Sequence, residues 1–417
     1  MLVVIRIGSQ LPIPGVETAF FKDFFAQQNN DAFGFFNAMT GSSFTNMSVF
    51  ALSITPYITS SIIMQLLTIA IPKLEEMQRD GEDGRKKIAE YTRDVTVALA
   101  LIESIAMSVG FGGQGLLIEF NAISVIISVV TMTAGSALLM WIGERITENG
   151  VGNGISIVLL FNIISSLPSD ASTLYTRFMS GKSVAVSAVA AIIIVAIVIA
   201  IVVFVVVLQD GERRIPVQYS KKMQGRKMVG GQSSNIPLKV NTAGVIPVIF
   251  ASSIMSFPVV IAQFFGSRIN YDSIGGHILL MLNSSNWFKP ERPVYSIGIV
   301  IYIALIIVFA YFYTSITFNP LEVANNMKKS GGFIPGIRPG KPTSDYLNSI
   351  LNYVVFIGAC GLTIVCIIPI MVSGLFNVSR LSFGGTSLII IVSVVLETIK
   401  AIESQMLVRY YKGFLND

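Results

Sequence analysis

Apolar runs, each closed by a polar, glycine or proline break, repeat along the whole chain. A helix crossing a bilayer takes about 20 such residues. Runs at 95–110, 120–142, 184–208, 240–265, 294–318, 350–372 and 387–402 predict spans, and a shorter run at 155–167 follows the break Gly150-Val-Gly-Asn-Gly154. Residues 32–71 are different. The stretch 32–46 is weakly apolar, punctuated by Gly and Ser, and too short to cross, whereas 47–71 is long enough. A half-length helix leading into a full span predicts a segment buried at membrane depth. Such backbone is tolerated only inside protein or along a water-filled cavity. Residues 32–71 are therefore expected at the middle of a pore or substrate cavity. The run 1–7 cannot span, and Pro12 and Pro14 follow it. It reads as the tail of a span whose beginning is missing, which brings the total to about ten spans.

Composition sharpens this class. Of 417 residues 53% are hydrophobic and 13% charged, with a mean hydropathy of +0.70. Soluble domains carry roughly 25% charged residues, so an all-α polytopic membrane protein is expected. Cys360 and Cys366 share one apolar run but fall on different helix faces, and read as small hydrophobes. The single histidine, His277, is expected in a loop without ligand-spaced partners, which argues against a metal. No cleavable signal peptide follows residues 1–7. Ionisable groups inside spans mark ion or proton coupling. Here they are Glu103, Glu397, Lys400 and Glu403, and the spacing of Glu397 and Lys400 predicts a pair on one helix face. There is no paired mid-membrane carboxylate, no Walker-type loop and no nucleophile with a base, so no catalytic residues and no cofactor are expected.

Orientation follows from the basic residues, which cytoplasmic loops retain. One set of alternate loops holds most of them, including Lys73, Arg85, Arg145, Arg213, Lys328 and Arg409. The other holds Lys22, Arg177, Lys182, Arg268, Lys289, Arg292 and Arg380. This bias assigns the polar inserts 209–239 and 319–346 and the C-terminus to the cytosol. The chain divides into halves at 1–167 and 184–417, each with five spans. An odd number per half inverts the second relative to the first, an arrangement of many transporters. The inserts are basic and far longer than the roughly 2–8 residues that connect bundle helices. They either set topology or dock on an acidic or phosphate-rich surface.

Ile54 and Ile58 are four apart and face one way, and Ile155 and Leu159 repeat the spacing. If the halves face each other, branched side chains from both meet at a waist that excludes ions by dewetting. Ordinary helix packing is the alternative. Ser53, Thr55, Thr59, Ser60, Ser61 and Gln65 give the central span small or hydrogen-bonding residues. They mark either a fixed helix pair or a seam that opens.

Several long stretches carry a family resemblance: RIGSQLPIPG, FALSITPYITSSIIMQLL, GVGNGISI, PLKVNTAGVIPVIFASSI, FNPLEVANNMKKSGGFIPGIRPG and FGGTSLII. The chain resembles the SecY family, the central subunits of protein-conducting translocons, over nearly its whole length. The family's chains have a complete first span, so this one is expected to start inside it. The resemblance implies two five-span halves around an hourglass pore. Residues 32–46, with Phe36, Asn37, Gly41 and Ser42, match the family's plug. Ile54, Ile58, Ile155, Leu159, Ile249 and Ile390 match its pore ring, and Thr59, Gln65, Asn241 and Phe257 its lateral gate. Arg226, Lys227 and Arg338 match its docking loops for the ribosome or the SecA motor. A SecE-like and a SecG-like small membrane subunit, the lipid bilayer and signal-sequence-bearing polypeptides complete the expected partners. The implied location is the cytoplasmic membrane of a bacterium. The implied activity is passive passage of unfolded chains with sideways release of apolar segments. A small-solute transporter, suggested by the inverted halves, and a membrane enzyme are the other classes considered. The first needs a coupling carboxylate and the second a convergent polar site.

Overall fold

A computed structural model describes residues 1–18, 37, 39–180, 183–219, 222–224, 227–229, 233–264, 273–283, 286–288, 293–376 and 385–414. The fold is all-α apart from the first polar insert and one short strand of the second. In chain order the helices begin with α1 (Leu2–Gly8), α2 (Thr55–Ala70), α3 (Pro72–Arg79), α4 (Glu82–Phe111), α5 (Ala122–Asn149) and α6 (Gly154–Phe178). They continue with α7 (Val184–Asp210), α8 (Ile246–Phe264), α9 (Ile274–Leu282), α10 (Ile297–Thr317), α11 (Pro320–Lys329), α12 (Lys341–Phe376) and α13 (Gly385–Phe414). Among the described residues six helices are long and apolar enough to cross a membrane, or seven if α2 and α3 count as one broken span. The protein is a polytopic membrane protein. Ile192, Val203 and Val207 on α7 are among the aliphatic side chains left on its outer surface, where lipid replaces water.

Element boundaries depart from the sequence expectations at several places. The expected span 47–71 is helical only from Thr55, and residues 41–54 are turns. The expected loop 73–94 is helical on both sides of a break at Asp80 and Gly81. Its Glu, Lys and Arg residues are good helix formers, and Gly81 (φ 82°) supplies the turn. Between α2 and α3 the chain bends by 106°. Ile71 is extended (φ −112°, ψ 110°), as a residue before proline tends to be. Helix α6 runs well past residue 167, through Pro168 to Phe178, and is capped at its start by Asn153 Oδ1, which accepts from Ile155 N and Ser156 N. Helix α8 starts at Ile246 because residues 240–245 form a turn, with Gly244 at φ 64° and Asn241 Nδ2 donating to Gly244 O at 3.0 Å. His277 lies on α9, not in a loop, with Nδ1 3.1 Å from Tyr295 Oη.

The two polar inserts form one structure. Strand β1 (Glu212–Tyr219) pairs antiparallel with β4 (Ser233–Lys239) of its own insert and with β5 (Gly332–Phe333) of the other. Between them β2 (Lys222–Gln224) and β3 (Lys227–Val229) make a hairpin. Ile215 and Val217 alternate with exposed neighbours, as a strand with one covered face requires. They pack with Leu238, Met327, Ile334 and Leu347, which joins the sheet to α11 and to the start of α12.

Helices α4 and α5 bury a core with residues 41–54 that includes Phe44, Met47, Leu52, Met107, Phe111 and Met132. Helices α7, α8, α10, α12 and α13 bury another around Val205, Val248, Ile306, Val365, Cys366 and Ile389. Hydroxyl pairs fasten neighbours in the first group, with Ser104 Oγ 2.9 Å from Thr133 Oγ1 and Ser108 Oγ donating to Ser128 Oγ at 3.1 Å. Helix α6, which packs on α5, joins the two groups where its Ile163 packs on Ile390 and Val394 of α13. Lys400 donates to Asp210 of α7 at 2.6 Å. The expected pairing with Glu397 is replaced by this contact between helices, which the sequence separation of the partners conceals.

Candidate functional site

The segment 41–54 is irregular and largely buried. Gly41, Ser42, Met47 and Ser53 all have positive φ, at 62°, 68°, 43° and 52°. Such conformations are uncommon outside glycine and persist where surroundings over-determine them. Here they do. Val49 N donates to Leu11 O at 2.9 Å and Ile13 N to Met47 O at 3.0 Å. Met47 is fully buried. Ser136 Oγ of α5 donates to Ser53 O, and Asn162 Nδ2 of α6 donates to Ser53 Oγ, each at 3.0 Å. Gly135 allows the Val49 carbonyl against α5, where a β-carbon would collide with it. Buried non-helical backbone needs this satisfaction of its polar groups.

The chain leaves the segment through Ile54 into α2. Ile54 is buried with Phe50, Leu139, Ile142 and Val158, and Ile58 and Ile155 pack on the same cluster. Leu159 is buried one turn beyond Ile155 on α6. Ile249 is half-buried on α8. Ile390 lies in the separate cluster with Ile163. Of the six expected ring residues, then, three meet in one cluster and Ile390 belongs to another. Among the expected plug residues Gly41 is buried and Asn37 and Ser42 are half-buried, while Phe36 lies outside the described residues.

The expected gate residues divide. Thr59 Oγ1 donates to Thr55 O of its own helix at 3.1 Å. Gln65 is exposed and Asn241 is buried in the turn before α8. The side chain of Phe257 lies outside the described residues. On the same helix Ser60 is a joint, its Oγ donating to Thr92 O of α4 at 2.6 Å. Arg338 is exposed between Gly336 (φ 82°) and Gly340 (φ 108°). Arg226 and the side chain of Lys227 lie outside the described residues. No group of three or more His, Cys, Asp or Glu that could hold a metal occurs among the described residues. Sequence reasoning missed Gly135, Ser136 and Asn162. Asn162, a lone amide seven residues after Ile155 in an apolar run, was the available signal.

The SecY family model matches residues 48–399. The translocase subunit SecY of Corynebacterium glutamicum is 42% identical over 437 aligned residues, covering 100% of this chain and 95% of the relative. That of Escherichia coli K12 is 39% identical, covering 99% of this chain and 91% of the relative. Among solved structures, a protein-conducting channel aligns with a TM-score of 0.63 at 17% identity, covering 97% of this chain and 90% of that one. Sec61 in a canine ribosome–channel complex aligns with a TM-score of 0.60 at 16% identity over the same shares. At such identities these two structures speak for the fold. The sequence relatives and the family match speak for descent, and they establish that this chain belongs to the SecY family.

Proposed function

We propose that an unfolded polypeptide crosses between the two helix groups through a waist lined by Ile54, Ile58, Ile155, Leu159, Ile249 and Ile390. As a SecY-family member the chain is the channel-forming subunit of a protein translocase, and it is not an enzyme. The observation that carries the proposed path is the clustering of Ile54, the last residue of a buried, non-helical segment, with Ile58 of α2 and Ile155 of α6. An apolar waist of branched side chains excludes ions when narrow and deforms around a larger guest. Residues 32–46, with Phe36, Asn37, Gly41 and Ser42, serve as the plug on the outer side. Thr59, Gln65, Asn241 and Phe257 line the seam through which an apolar signal sequence reaches lipid. The working location is the cytoplasmic membrane of a bacterium, with both inserts and the C-terminus in the cytosol.

The driving force then comes from partners at the cytosolic face, the ribosome or a SecA motor, with SecE-like and SecG-like subunits beside the channel. The shared sheet β4-β1-β5 makes one platform of both inserts, so Arg226, Lys227 and Arg338 act as parts of one docking surface. Arg338→Glu is expected to weaken partner docking about tenfold through charge reversal and to slow secretion, while the melting temperature stays unchanged because the side chain is exposed. Normal docking and secretion by this variant would remove Arg338 from the docking surface. The path itself is tested by capturing a stalled secretory chain from inside the waist.

A further inference from the structure

The plug-to-span segment is tied at both ends to one helix. At its far end Ser53 Oγ accepts from Asn162 Nδ2 of α6 at 3.0 Å, and Ser53 O accepts from Ser136 Oγ of α5 at 3.0 Å. At its near end Gly41 lies so close to α6 that a β-carbon there would sit 2.7 Å from Ser165 Oγ and 2.9 Å from Asn162 O. Arg6 of α1 closes this end, with Nη1 donating to Ser165 Oγ at 3.1 Å and to Gly41 O at 3.4 Å. Ser165 Oγ in turn donates to Asn162 O at 2.7 Å. Asn162, Ser53 and Ser136 are all buried, with 5%, 1% and 1% of their surfaces exposed.

The same helix carries two expected ring residues. Ile155, Leu159 and Asn162 stand at i, i+4 and i+7, one stripe of α6. Ser53 immediately precedes Ile54. A single helix face therefore holds the apolar waist and, about one turn further along, the amide that fixes the next residue before the waist's other wall.

We propose that Asn162 is a positioning residue that couples plug release to widening of the waist. Widening of the waist displaces Ile155 and Leu159 of α6 relative to Ile54, and that displacement breaks the Asn162–Ser53 bond and withdraws the cradle from Gly41. Conversely, while that bond stands, the 41–54 segment and Ile54 are held together in the closed arrangement. The inference rests on the channel reading above.

The test compares wild type, Asn162→Leu, Ser53→Ala and the double variant, each in its assembled complex in planar bilayers. Two readouts are taken: resting ion conductance, and conductance with a stalled secretory chain. Each single variant leaves a buried polar group without its partner, which destabilises. Removing both restores an apolar contact and much of the stability. The coupling role predicts that the double variant melts close to wild type yet still leaks at rest, on the order of tenfold above wild type. Asn162→Gln, which keeps the amide, is expected to restore part of the closure. A double variant that is as tight at rest as wild type would reduce the bond to ordinary packing and overturn the proposal. A wild type that stays closed even with a stalled chain would instead point to failure of the channel reading.

Discussion

Replacing Ile54 and Ile58 with serine is expected to make the resting channel conduct small ions, raising conductance on the order of tenfold or more through loss of dewetting. Ile54 is buried against Phe50, Leu139, Ile142 and Val158, with Ile58 one turn along packed on the same cluster. Serine at these positions both widens the waist and wets it, so the two effects add. Truncating a side chain as buried as Ile54 also costs about 2–5 kcal/mol of stability, which alone can disturb the complex. Ile58 is only half-buried, so Ile58→Ser alone separates the effects. It should leak with a smaller loss of melting temperature. A properly inserted Ile54→Ser/Ile58→Ser complex with unchanged resting conductance would take the gasket role away from these residues.

The second large effect is expected at Gly135, which lies outside the six waist residues. Its missing side chain is what lets the Val49 carbonyl lie against α5. The obstacle is backbone, so no side-chain rotation relieves it, and overpacking of this kind costs typically 1–3 kcal/mol. Gly135→Val must push the 47–54 segment off its seat, because Val49 is also held by its own N–H on Leu11 O at 2.9 Å. The expected result is a lower melting temperature together with a leak at rest, since the displaced segment ends at Ile54. Gly135→Ala should show the same signs with smaller size. If Gly135→Ala melts and conducts like wild type, the close approach of Val49 does not position the waist.

The long spans were legible because lipid imposes one rule, a run of apolar residues long enough to cross. What escaped has three physical causes. Residues 47–54 are as apolar as a helix, but their turns are set by backbone at Met47 and Ser53 that only tertiary contacts hold in place. The charged stretch 73–94 reads as a loop on polarity, yet Glu, Lys, Arg and Ala favour helix wherever water reaches them. Contacts between distant residues left no local trace. Lys400 to Asp210, β1 to β5, and Asn162 to Ser53 are each invisible to spacing rules, which see only near neighbours. For the candidate site, spacing grouped Ile54 with Ile58 and Ile155 with Leu159, and in the fold Ile54, Ile58 and Ile155 share one cluster. Ring membership of Ile249 and Ile390 came from resemblance alone, and these two stand apart from the Ile54 cluster.

The most direct measurement places a photoreactive residue at Ile58, and in a separate sample at Thr59, in membranes making a stalled secretory chain. If polypeptide passes through the waist, Ile58 crosslinks to the hydrophilic part of that chain, and Thr59 to its signal sequence. Crosslinks from neither position, in a protein shown to be inserted and assembled, would contradict a path between the two helix groups.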